Sequence, residues 1–188
     1  MEKSSLEVEM LSSKHFYNFT FLDTETGGLG DDAEVLEIAI IRESRDGTKT
    51  ERWSTLIKPE RPEAVEVQAL EINGITPDML EDAPSLAEVA PRIIRMLKYG
   101  PLIGHNVAFD LRMLRNNLKR IGYNWRPGWP AICTQQMAWL HLPIPSVSLD
   151  ACREYFGYST CGSHRAQKDV DDCSILFFSI LDLFKVRT

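Results

Sequence analysis

The spacing of apolar positions changes several times along this chain, and each change marks an element. After a polar stretch over residues 1–15, NFTFLDT at 18–24 predicts a strand that the glycines of TETGGLG bring to a turn. VLEIAIIRE at 35–43 and TERWSTLIK at 50–58 predict two more strands, with Asp46-Gly47 as the hairpin turn between them. Residues 59–63, rich in Pro and Glu, break the pattern, and 63–71 predict a short helix before Asn73-Gly74. Ser85 predicts a cap for a helix over 86–98, with Glu88 closing a capping box. PLIGH at 101–105 predicts a short buried strand. Val107, Leu111, Leu114, Leu118 and Ile121 then recur at helical spacing over 107–121. Residues 122–130 predict a loop, 134–140 and 148–156 short helices, and Val170, Cys173, Phe177, Ile180 and Phe184 a last helix over 166–185. A hairpin followed by strands alternating with helices predicts an α/β domain with a mixed sheet.

Composition narrows the class. The 188 residues suffice for one domain with its own core. We expect a polar extension over 1–16 and a single domain over 17–188. No apolar run approaches the roughly 20 residues that span a bilayer, and the first residues carry no sustained apolar stretch of the secretory kind. The expected setting is therefore cytoplasmic, with no membrane partner. Cys133, Cys152, Cys161 and Cys173 form no C-x-x-C pair and are expected as buried thiols.

A net charge of −6 argues weakly against a nucleic-acid partner, but its distribution is uneven. Residues 89–149 hold eight basic side chains and one acid, Asp110. Such a block has an ordinary alternative, a solvated face.

Carboxylates stand at three places where a core meets an opening. Asp23 and Glu25 end the first strand, two apart, and share a face if that strand continues. Asp110 borders the apolar stripe of the 107–121 helix, and Asp169 stands one turn before Cys173 on the stripe of the last helix. Each alone has a simpler explanation, a turn-initiating Asp or an acid in a helix's first turn. Together they would repel unless cations intervened, and oxygen donors of this kind select magnesium or manganese over zinc. Two such ions are a known solution for phosphodiester hydrolysis. His164 precedes Asp169 by five residues, about 140° away on a regular helix, so it must stand in the preceding loop or first turn to serve the same site. There it would suit proton transfer near neutral pH; capping, or a Cys161/His164 zinc pair, are the alternatives.

FLDTETGGL at 21–29, INGIT at 72–76, LIGHNVAFD at 102–110 and HRAQKD at 164–169 together resemble, in order and spacing, the DEDDh family of 3′–5′ exonucleases, which includes the proofreading epsilon subunits of bacterial DNA polymerase. The resemblance spans 17–184. It implies a ribonuclease H-like fold, a central five-stranded mixed sheet flanked by helices. By motif matching it implies Asp23, Glu25, Asp110 and Asp169 as ligands of two divalent cations, Mg2+ or Mn2+, with His164 as general base. The implied reaction removes nucleoside 5′-monophosphates one at a time from a free 3′ end. Thr26 and the Asn73-Gly74-Ile75 turn resemble segments that hold the terminal nucleotide, and Ile75 or Phe109 is expected to stack on its base, with core packing as the alternative for both. Gly27 stands where the family commonly has threonine, Asn73 where the epsilon type often has histidine, and Gln167 where leucine is usual. DNA is the favoured substrate and a stand-alone nuclease the favoured form, with polymerase association a further possibility. An RNA-trimming exonuclease and a catalytically inactive nucleic-acid-binding accessory are the alternatives.

Overall fold

The computed structural model describes residues 18–44, 48–98, 100–159 and 165–185. Its strands are β1 (Asn18–Thr26), β2 (Val35–Ser44), β3 (Lys49–Leu56), β4 (Leu102–Gly104) and β5 (Ala131–Cys133). They form one sheet in the order β3-β2-β1-β4-β5. β1 pairs antiparallel with β2 and parallel with β4, β2 pairs antiparallel with β3, and β4 pairs parallel with β5. The mixed sheet and its five strands are as expected. The Asp46-Gly47 turn, residues 1–16, Cys161 and His164 lie outside the described residues.

The helices are α1 (Val67–Asn73), α2 (Pro77–Glu81), α3 (Leu86–Met96), α4 (Val107–Arg120), α5 (Thr134–His141), α6 (Leu149–Tyr155) and α7 (Ala166–Lys185), with a 3-10 turn at Pro62–Ala64. The capping box of α3 forms as expected: Ser85 N donates to Glu88 Oε2 at 2.7 Å, and Glu88 N donates to Ser85 Oγ at 3.4 Å. The helix expected over 63–71 divides. Its first residues take the 3-10 turn, Val65 at the C-cap is extended, and α1 proper runs to Asn73. Gly74 stops it in the left-handed region at φ 63°, where a β-carbon is costly.

Alternation along β1 sorts its side chains onto two layers. Leu22 faces α3 and α4 and packs with Ile38, Ile40, Ala90, Ile93, Met113 and Leu114. Phe21 faces the other way, against Val170, Cys173 and Phe177 of α7, where Phe19, Phe177 and Phe178 add edge-on ring contacts. Full burial of each large side chain contributes about 1.5–3 kcal/mol. Asp23 and Glu25 follow Phe21 on the α7 face, past the point where the strand is apolar. The fold thereby holds two carboxylates at the rim of a rigid core.

Among the described residues, no helix is long and apolar enough to cross a membrane. Cys152 and Cys173 are buried free thiols as expected, and Cys133 is half-buried.

Candidate active site

Strand β1 continues through Thr26, so Asp23 and Glu25 do share a face. Asp169, in the first turn of α7, comes down onto that face. Carboxylate oxygens of Asp23, Glu25 and Asp169 lie within 4.8 Å of one another. Asp110 enters from the opposite layer, where the chain reverses sharply between β4 and α4. Asn106 makes that reversal at φ 69°, the one positive-φ residue other than glycine among the described residues. The first turn of α4 then carries Asp110 to the end of β1. There Asp110 Oδ1 accepts from Thr24 N at 3.0 Å and from Thr24 Oγ1 at 2.8 Å. All four carboxylates line one cleft of about 260 Å³, together with His105, Phe109, Asp150 and Arg153.

The cluster is electrostatically strained. Asp23 lies at the floor of the cleft, accessible yet enclosed by protein; burial, then Asp110, Glu25, Asp169 and Glu37, hold its carboxyl well above the usual range. Burial first, then Asp169, Glu37 and Asp110, push Glu25 up to about 8, against the opposing pull of Arg165. Burial also raises Asp110 to about 7, although both bonds from Thr24 favour its charged form. Three converging carboxylates that repel one another, with oxygen donors only, fit a hard divalent cation. Asp23, Glu25 and Asp169 would hold it, with Asp110 beside them.

A stability prediction follows with a definite sign. Without divalent ions, the unfolded chain releases the protons of Glu25 and Asp110 near pH 4–5, whereas the folded chain keeps them to about 8 and 7. The folded state therefore binds more protons across that window, and raising the pH favours unfolding. Calorimetry in EDTA should show the midpoint falling from about pH 5 to pH 8, with added Mg2+ flattening the decline. A midpoint that rises with pH in EDTA contradicts this electrostatic picture.

Three side chains that the sequence patterns do not mark complete the site. Glu37, buried in the apolar first part of β2, stands directly across from Glu25. Arg165 Nε and Nη2 donate to it at 3.1 and 3.0 Å, and Ala166 N donates at 3.3 Å. Glu37 thus anchors the start of α7, which carries Asp169. A lone acid among Val, Leu, Ile and Ala was the available signal. His105 is the second. Its Nε2 donates to Val147 O at 2.9 Å, its Nδ1 accepts from Thr134 Oγ1 at 3.0 Å, and burial lowers its pKa to about 4. With both nitrogens engaged, it pins the loop before α6 and is a poor proton carrier. The third is Arg153.

Beside this cleft, and sharing Thr24, Glu25 and Phe109 with it, is a second hollow of about 270 Å³. Thr26 and Asn73 line it, and Asn73 Nδ2 donates to Thr26 O at 3.0 Å, tying α1 to the end of β1. Ile75 does not line it. The left-handed turn at Gly74 sends the chain inward, and Ile75 is buried with Leu36 and Leu80, which is the core packing given above as the alternative to stacking. Gly74 itself makes the turn without lining the hollow. Leu29 and Ile72 do line it, 77% and 54% exposed respectively. At Gly27 a β-carbon would approach Val65 Cγ1 to 3.1 Å, so threonine there would crowd the approach to α1.

Comparison with known proteins shows the family. The RNase T family model, described as Exonuclease, matches residues 20–177. The chain belongs to the exonuclease family. Within it, the DNA polymerase III subunit epsilon of Aquifex aeolicus is 30% identical over 187 residues, covering 97% of this chain and 89% of its own. The PolC-type DNA polymerase III of Thermotoga petrophila is 35% identical over 174 residues, and the chain spans only 12% of that relative's length. Exonuclease X, solved in complex with 5′ overhanging duplex DNA, superposes with a TM-score of 0.69 at 27% identity, covering 88% of this chain and 92% of its own. Exonuclease I of E. coli superposes at 0.76 and 23% identity over 88% of this chain and 40% of its own. These likenesses give the exonuclease domain its expected ribonuclease H-like fold.

Proposed function

We propose that this exonuclease removes nucleoside 5′-monophosphates from the free 3′ end of single-stranded or frayed DNA, with two divalent cations and His164 as general base. The observation that carries the reading is the convergence of Asp23, Glu25 and Asp169 within 4.8 Å beside the Thr24-anchored Asp110. When bound, the cations supply the positive charge that admits an anionic backbone and the Lewis acidity that the hydrolysis requires. Thr24 fixes the orientation of Asp110, and the Glu37–Arg165 pair fixes the start of α7. His164 takes the proton of the attacking water. The terminal base occupies the hollow next door, against Phe109 and the exposed Leu29 and Ile72, while Asn73 keeps the Thr26 backbone in place to meet the nucleotide.

DNA over RNA is supported by the DNA polymerase III relatives and by the DNA in the Exonuclease X complex. Matched DNA and RNA oligomers, single- and double-stranded, test it directly. Single-stranded DNA should be shortened fastest, and faster turnover of the RNA strand overturns the preference.

The basic block of residues 89–149 divides by partner. Arg112 pairs with Asp31 and covers the Phe109 ring at 5.3 Å, Arg95 pairs with Glu51 at 3.8 Å, and Arg120 with Glu34 at 3.3 Å. Arg115 and Lys119 are exposed, one turn apart on the helix that begins at the cleft with Phe109 and Asp110. We infer that they meet phosphates of the departing strand. Replacing both by Ala in a cleavage-blocked Asp23→Asn background should reduce the slope of log affinity against log salt by about 1.4 for single strands. An unchanged slope, measured by anisotropy, returns them to a solvated face.

A further inference from the structure

One cation is already built into the carboxylate cleft. Arg153, on α6, has a side chain only 2% exposed, and its guanidinium joins α6 to α7. Nη1 donates to Asp150 Oδ1 at 2.5 Å, Nη2 donates to Asp169 Oδ1 at 2.5 Å, and Nη2 lies 2.6 Å from Asp172 Oδ2. Asp172 also pairs with Lys168. A buried guanidinium is costly unless its charge is matched, and here the match includes a carboxylate of the proposed cation site. Nε, equally buried, has no hydrogen-bond partner among the described residues. The residue is therefore not placed to satisfy all its own donors. Its two terminal nitrogens are committed to the acids, and one of those acids faces Asp23 and Glu25.

This arrangement has two opposite consequences. With no divalent ion in the cleft, Arg153 offsets part of the repulsion around Asp169 and holds its carboxylate against the floor. When a divalent ion approaches, the same guanidinium occupies Asp169 Oδ1 and adds like charge beside the incoming cation. We propose that Arg153 is a positioning residue that acts as the cleft's resident counter-cation: it clamps Asp169 in the metal-free protein and opposes cation loading, thereby setting how much metal the site requires. The inference rests on the cation-site reading above and adds to it a residue that tunes occupancy.

The test uses Mn2+ alone, titrated calorimetrically into wild type, Arg153→Met and Arg153→Gln after EDTA treatment and desalting, together with thermal unfolding in EDTA. Arg153→Met keeps the apolar stem and removes the charge. Arg153→Gln keeps a donor for Asp169. Both should unfold at lower temperature than wild type in EDTA yet bind Mn2+ at least about fivefold more tightly. Arg153→Lys, which keeps the charge, should return affinity toward the wild-type value. A merely structural arginine would lower stability and weaken or leave unchanged the Mn2+ affinity, and that result overturns the proposal. Should neither neutral variant fold, wild type alone decides. The Arg153 guanidinium protons should exchange slowly in EDTA and faster at saturating Mg2+, and equal protection in both states is contradictory. Absence of Mn2+ binding to wild type defeats the cation-site reading itself, whereas binding that is no tighter in the neutral variants defeats only the role of Arg153.

Discussion

Asp23→Asn is expected to lower 3′-end cleavage by on the order of 10³-fold or more, about 4 kcal/mol of transition-state stabilisation, while leaving the fold intact. The size follows from position. Asp23 is at the centre of the cluster: its carboxyl is raised by burial first and then by Asp110, Glu25, Asp169 and Glu37, so it feels each of the other three clustered carboxylates. Asparagine preserves its shape and removes its charge, so the loss reports the charge. The same substitution should raise the unfolding temperature in EDTA, because a buried carboxyl flanked by like charges is replaced by a neutral amide. Loss of activity with gain of metal-free stability is a signature that a damaged core cannot produce. Initial rates at saturating Mg2+ and unfolding in EDTA measure the pair, and turnover within tenfold of wild type removes Asp23 from the site.

The second large effect concerns the proposed general base. His164→Ala should reduce kcat by about 10²–10⁴ with little change in KM, the pattern of an interaction made in the transition state. Among the described residues, the other histidines are committed elsewhere. His105 has both ring nitrogens bonded and a pKa lowered to about 4, and His141 packs on the Phe184 ring at 4.7 Å. His164 precedes Arg165, which Glu37 anchors at the start of the helix that bears Asp169. In wild type, the rate should rise with pH as the imidazole loses its proton, as expected for a base that must be neutral to act. The variant should lose that limb. Equal losses in substrate binding and turnover, or an unchanged limb, argue against the role.

Much of this architecture is legible in the sequence because long periodic segments report their own burial. β1, β2, β3, α3, α4 and α7 follow from alternation, helical spacing and one capping box. Short elements do not carry enough periods. β5 is three residues long, is at most half-buried, and follows a loop rich in Trp, Gly and Pro, so only its pairing with β4 makes it a strand. α2 has five residues and is set by the Thr76 cap, with Met79 N donating to Thr76 Oγ1 at 3.4 Å.

The site divides in the same way. Asp23, Glu25, Asp110 and Asp169 each have an ordinary local explanation, and it is the ordered set of motifs that joins them. Ile75 shows the opposite limit: motif position marks it for the nucleotide, whereas the left-handed turn at Gly74 turns it into the core. Glu37 is marked locally only as an acid in an apolar run, and the contacts that give it and Arg153 their roles, with Arg165 and Asp169, lie 128 and 16 residues away in the chain. Net charge is a poor guide to this protein. The acids that make the total negative include those gathered in one cleft, and several arginines of the basic block are spent on internal pairs.

The most direct test of the metal-dependent exonuclease reading follows the fate of a 3′-terminal label on single-stranded DNA with Mg2+. The label should leave as a nucleoside 5′-monophosphate from the earliest time points, with release stopped by EDTA and by Asp23→Asn. Label retained on internal fragments, or release that proceeds equally well in EDTA, would contradict it.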